Sequence, residues 1–157
     1  MQTLVTFIFK FLAALPLAWL HKLGNLLGSL GFRLLSKDRR RVFENMTLAG
    51  LNPTDEAVKK VFRETAKGGL ELPVAFFRRP EEIENLFVSV NGWEHVQTAL
   101  SAGEGLLFIT PHIGSYDLAG RYISQQLPFP LTAMYKPPKI KAFDAVMQAG
   151  RVRGKGK

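Results

Sequence analysis

The sequence predicts an α/β protein: an N-terminal hydrophobic helical anchor, then helices, then alternating β/α units of an incomplete, mainly parallel sheet. Three observations predict it. Residues 3–20 carry a single charge, Lys10, among Phe, Leu, Ile and Trp side chains. Short apolar runs at 86–90, 106–110 and 131–135 alternate with segments of helical periodicity. Turn formers such as Asn91-Gly92, Pro128 and Pro130 separate them. Strand, helix, strand, helix is the order of βαβ units, whose parallel strands need a covering helix at each crossover.

The first segment is near the lower limit of the ~17–25 residues that span a bilayer. Lys10 and Pro16 make it a poor spanning helix. A second apolar stretch, 23–35, is broken by Gly24, Gly28 and Gly31 and ends in Lys37, Arg39, Arg40 and Arg41. Three readings stand. A cleaved signal peptide lacks its charged start and small-residue cleavage site. A buried helical hairpin is the plain structural reading. A membrane anchor, spanning or interfacial, would place the basic cluster at the cytoplasmic face. Residues 1–41 are thus expected to form an anchoring segment with a basic stop, and 42–157 a separate domain.

Within 42–157, Asn52-Pro53-Thr54-Asp55-Glu56 reads as a helix start, with a capping side chain, an early proline and acids in the first turn. Val58, Val61, Phe62 and Thr65 come next at helical spacing; Gly68, Gly69 and Pro73 weaken the later turns, and Arg79-Pro80 ends the helix. Residues 86–90 alternate like a strand, and 93–102 read as a helix. The run 106–110, Leu-Leu-Phe-Ile-Thr, suits a strand buried on both faces. Residues 116–126 read as a helix, 131–135 as a third strand, and 142–149 as a last helix.

The chain has 157 residues, 46% of them hydrophobic, which suffices for one cored domain and excludes general disorder. It has no cysteine, which rules out disulfides and thiolate metal sites. A net charge of +8 predicts attraction to anionic partners without choosing among nucleic acid, lipid and acidic protein.

In α/β folds ligands bind outside the carboxyl ends of strands, which points to Pro111-His112-Ile113-Gly114-Ser115-Tyr116-Asp117. The spacing of His112 and Asp117 is weak by itself. In context, His112 would leave a buried strand, Gly114 would allow close approach, and Asp117 would fall in the first turn of the next helix. There its carboxylate could orient one imidazole nitrogen and leave the other to accept a proton, as a general base requires. A structural strand-end histidine fits the same residues. His21 and His95 lack an acid at this spacing, and the three histidines give no metal-ligand pattern, so neither metal nor cofactor is expected.

The stretch 92–117 resembles the bacterial lysophospholipid acyltransferase superfamily, whose hallmark is His, four residues, then Asp or Glu. It is most similar to the lauroyl and myristoyl acyltransferases of lipid A biosynthesis. The likeness extends over the hydrophobic N-terminus with its basic stop, the Gly-Trp-Glu-His segment at 92–95, Ile109-Thr110-Pro111-His112, Met134-Tyr135-Lys136-Pro137 and Gly150-Arg151-Val152-Arg153. Many members of that branch carry Glu where this chain has Asp117. They are also longer, with a second half that completes the sheet, so the resemblance makes 42–157 the N-terminal part of a catalytic domain.

The resemblance implies transfer of a fatty acyl group from acyl carrier protein to a hydroxyl of a lipid A precursor, at the cytoplasmic face of the bacterial inner membrane. His112 and Asp117 become the base pair, Gly114 and Ser115 line the substrate, Arg151 is a candidate oxyanion donor, and Arg153 can hold a lipid phosphate. Acylation of a glycerophospholipid is the alternative within the superfamily, and a non-catalytic membrane scaffold the alternative outside it. A scaffold's His112 should be packed shut, whereas a catalytic one should open beside Asp117. A nucleic-acid module is disfavoured: the basic residues are dispersed, and the Gly-Lys-Gly-Lys tail lacks the spacing and the Ser or Thr of a phosphate-binding loop.

Overall fold

Pro16, with φ −55° and ψ 138°, breaks the apolar N-terminus into two helices, α1 (Gln2–Ala14) and α2 (Leu17–Leu34), bent by 117°. The computed structural model describes residues 2–138 and 140–153; the Gly-Lys-Gly-Lys tail at 154–157 lies outside them. Next in the chain come α3 (Ser36–Leu48), α4 (Asp55–Phe77), α5 (Pro80–Glu84), α6 (Trp93–Ser101), α7 (Tyr116–Gln126) and α8 (Lys141–Arg151).

Helix α4 is the axis on which α1, α2, α7 and α8 pack. It starts where the capping pattern predicts: the Thr54 hydroxyl accepts from the Ala57 N–H at 3.2 Å, a contact whose loss costs about 1 kcal/mol. Pro73 lies inside this helix without ending it. Helix α2 approaches through Gly24 and Gly28; a Cβ on Gly28 would lie 2.4 Å from the Arg63 Cα. The same face carries His21, whose Nε2 meets Glu71 Oε1 at 2.6 Å, and Ser29, whose hydroxyl accepts from Arg63 Nε at 2.9 Å. At the other end of α4, Arg78 donates to the Ala13 and Leu15 carbonyls at 2.9 and 2.7 Å, satisfying the open C-terminus of α1. The core between them includes Phe9, Leu20, Val74, Phe76, Ile83, Leu118 and Val146, and each full burial contributes about 1.5–3 kcal/mol.

Two expectations are corrected here. The fold is all-helical among the described residues: none of 86–90, 106–110 and 131–135 is a strand, and there is no sheet. Residues 86 and 87 instead close a turn behind α5, their N–H groups donating to the Ile83 and Glu84 carbonyls at 3.0 Å. Residues 106–110 run without a ladder, and Leu107 and Ile109 are 86% exposed rather than buried on both faces. An apolar run reports a tendency to be covered, whereas a strand needs a hydrogen-bonded neighbour, which periodicity does not reveal.

The second correction concerns the anchor. At about 1.5 Å per residue, α1 is roughly 20 Å long against a hydrocarbon core of about 30 Å. No single helix among the described residues is long and apolar enough to cross a membrane, and both α1 and α2 pack along α4.

Candidate active site

Asp117 sits in the first turn of α7 and Arg151 in the last turn of α8, each at the helix end whose dipole favours its charge. They meet as a forked pair: Arg151 Nε donates to Asp117 Oδ1 at 3.0 Å and Nη2 to Oδ2 at 3.4 Å. The Asp117 side chain is only 8% exposed and that of Arg151 29%, so solvent screens the pair weakly. Gly150 makes this geometry possible. A Cβ there would lie 2.3 Å from Phe76 Cγ, so only a glycine lets α8 close onto α4 and carry Arg151 to Asp117.

A second set of contacts holds Arg151 from behind. Its guanidinium lies 5.0 Å from the Tyr135 ring centre, and the Tyr135 hydroxyl donates to the Asp144 carboxylate. Burial first, then the bond to Asp144, pushes the Tyr135 phenol above its ordinary pKa, so it stays a donor at neutral pH. Tyr135→Phe, which keeps the ring and loses the hydroxyl, is expected to lower acyl-transfer kcat about threefold to tenfold. Tyr135→Leu, which also removes the surface under Arg151, should lower it further with little change in KM. A steady-state comparison of the two variants checks the order, and equal losses would contradict it.

The loop before α7 presents the remaining candidates. The Ile113 N–H donates to the Pro111 carbonyl at 2.8 Å, closing a γ-turn with His112 at its centre; among the described residues no non-glycine has positive φ, so the turn is of the inverse type. His112 is exposed, its ring edge-to-face with Tyr116 at 4.6 Å, and among the described residues it makes no hydrogen bond to Asp117. It is therefore not packed shut, and its ring packs on Tyr116 instead of bonding to its sequence partner. Gly114 has φ +62°, a conformation that favours glycine and turns the chain into α7. Ser115 is the N-cap, yet its side chain makes no cap bond, which leaves the first-turn N–H groups of α7 uncapped. Arg153 donates from Nη1 to the Phe76 and Phe77 carbonyls at 3.0 and 3.4 Å and lies over the Phe77 ring.

Asp144, Arg121 and Gln125 escape a reading by motif, and so does the contact of Tyr135, although that residue lies in the Met134-Tyr135-Lys136-Pro137 segment. Tyr135 and Asp144, nine positions apart, carry no spacing signal because the segment between them is not helical throughout. Arg121 and Gln125 come after Asp117 at successive intervals of four, a polar stripe on a helix whose face also buries Leu118. That stripe was the available signal.

The family model for the bacterial lipid A biosynthesis acyltransferases matches residues 1–157. The chain belongs to that family. No curated protein and no solved structure matches it. Acyl transfer in lipid A synthesis is thus the activity class of the chain, and its His-x4-Asp segment and Gly-Arg-x-Arg segment converge on the α7–α8 contact.

Proposed function

We propose that the protein moves a fatty acyl group from the thioester of an acyl carrier protein to a hydroxyl of a lipid A precursor, with His112 as base and Asp117 as its partner. The supporting observation is the Asp117–Arg151 pair, which joins two motif segments 34 residues apart beside an exposed histidine. One imidazole nitrogen of His112 takes the hydroxyl proton as that oxygen bonds to the thioester carbonyl carbon. The tetrahedral oxyanion then collapses, the C–S bond breaks, and the imidazolium returns its proton to the departing thiolate. No acyl-enzyme is required.

His112 turns off the Tyr116 ring to reach Asp117 when substrate arrives, in keeping with catalytic hydrogen bonds that tighten only in the complex. Asp117 then stabilises the imidazolium, while Arg151 holds the carboxylate in place. The uncapped N–H groups after Gly114 and Ser115 face the developing oxyanion. Arg153, lining an open groove of about 250 Å³ with Lys10, Arg78 and Glu82, meets an anionic group of the acceptor.

The protein lies in the interface of the bacterial inner membrane, on its cytoplasmic side. Phe7, Phe11, Trp19, Leu26, Leu30 and Leu34 leave a wide apolar face exposed on α1 and α2. Lys37, Arg40 and Arg41 on α3 are exposed for anionic headgroups. The protein, incubated in maltoside micelles with labelled acyl carrier protein thioester and a lipid A precursor, is expected to put label into the lipid. Label recovered only as free fatty acid or left on the carrier would contradict the reading.

A further inference from the structure

Helix α7 buries a guanidinium that no acid among the described residues neutralises. Arg121 is 8% exposed, and its Nε and Nη1 are buried without a hydrogen-bond partner among the described residues. One turn on, the Nε2 and Oε1 of Gln125 are in the same condition. The carboxylate one turn back, Asp117, stands at the spacing that would suit Arg121, but it pairs with Arg151 and makes no hydrogen bond to Arg121. Burial, and then the charge of Arg153, lower the Arg121 pKa from its ordinary value, so Arg153 adds positive field where Arg121 already lacks a counter-ion. With Arg151 neutralised by Asp117, the local surplus is two guanidiniums, Arg121 and Arg153.

We infer that Arg121 and Gln125, together with Arg153, form a binding site for a phosphate-type oxyanion on the inner face of α7. A dianionic phosphate monoester matches two unneutralised guanidiniums in charge, the unpartnered Nε and Nη1 of Arg121 offer N–H donors to its oxygens, and the Gln125 amide supplies another. A carboxylate would leave one charge uncompensated. Arg153 also lines the basic groove with Lys10 and Arg78, so anions are drawn to this end of the molecule from solvent. Binding of the anion requires Arg121 to open slightly from its closed position. The inference extends the acceptor contact proposed for Arg153 and rests on it in part, but binding is read without turnover, so failure of acyl transfer would leave it standing.

The test is thermal unfolding of the protein at matched ionic strength in chloride, in inorganic phosphate, and in maltoside micelles with or without dodecyl phosphate. Phosphate or dodecyl phosphate is expected to raise Tm by about 4 °C or more at saturation. A shift with dodecyl phosphate alone assigns the site to a lipid-borne phosphate, and a shift with both assigns it to phosphate in general. Arg121→Met should raise the ligand-free Tm, because an unpaired buried charge is removed, and should abolish the shift. Gln125→Leu should keep the fold and weaken phosphate binding about tenfold. No phosphate-specific shift in either arm, a shift that survives in Arg121→Met, or a lowered ligand-free Tm in that variant would overturn the inference.

Discussion

Replacing His112 with alanine is expected to lower kcat for acyl transfer by about 10²–10⁴-fold while leaving KM for either substrate nearly unchanged. The magnitude comes from the proposed role. A base acts as the hydroxyl proton moves, so its loss raises the barrier without weakening the ground-state complex. The fold should survive, because His112 is exposed, sits at the centre of a γ-turn and packs edge-to-face with Tyr116. His112→Gln, which keeps a polar side chain but no base, should be nearly as slow. Turnover of His112→Ala within a few-fold of the parent would remove the histidine from the chemistry.

The second large effect is structural, and its sign depends on position. Gly28→Ala should destabilise the protein by about 1–3 kcal/mol, since the new methyl would meet the Arg63 backbone at 2.4 Å and push α2 off α4. Gly69→Ala, on α4 itself but with nothing within 4 Å of the new Cβ, should stabilise by about 0.5–1 kcal/mol by restricting the unfolded chain. Denaturant unfolding of both variants measures the difference. Equal effects would mean that α2 and α4 do not pack through Gly28.

Helices α4, α6 and α7 are legible from local signals, whereas α3 and α5 go unread, although α5 has Pro80 and two acids in its first turn. Thr54 and the acids after it open α4, Asn91-Gly92 precedes α6, and Pro128 stands just past the end of α7, all within one or two residues of expectation. Helix α8 runs on to Arg151, two residues past its expected end, because Gly150 packs against Phe76 instead of stopping the helix. The absence of strands is not legible, because Leu107, Ile109 and Met134 carry strand-like apolarity yet stand exposed. Pairing partners are remote in sequence, and nothing in the local pattern reports whether they are present. The N-terminal hairpin reads as a long anchor for a related reason. The apolar count measures hydrophobicity, but Pro16 and the glycines of α2 decide that the segment bends and packs on α4.

The candidate site divides in the same way. The spacing of His112 and Asp117 draws attention to the right loop, and the resemblance draws attention to Arg151. Neither conveys that Asp117 is held by Arg151 while His112 faces solvent, nor that Tyr135 and Asp144 stand behind the guanidinium. Those contacts depend on how α8 closes against α4 and α7, a tertiary choice set by Gly150 and the core beneath it.

A double-substitution cycle at Asp117 and Arg151, read in the rate of acyl transfer from acyl carrier protein to the lipid A precursor, tests the central claim most directly. If the two side chains work as one unit behind His112, Asp117→Asn and Arg151→Gln should each lower kcat by a similar factor. The double variant should then be scarcely slower than either single one, because the second change removes a partner already idle. Losses that multiply in the double variant, or a single variant with unimpaired kcat, would contradict the account.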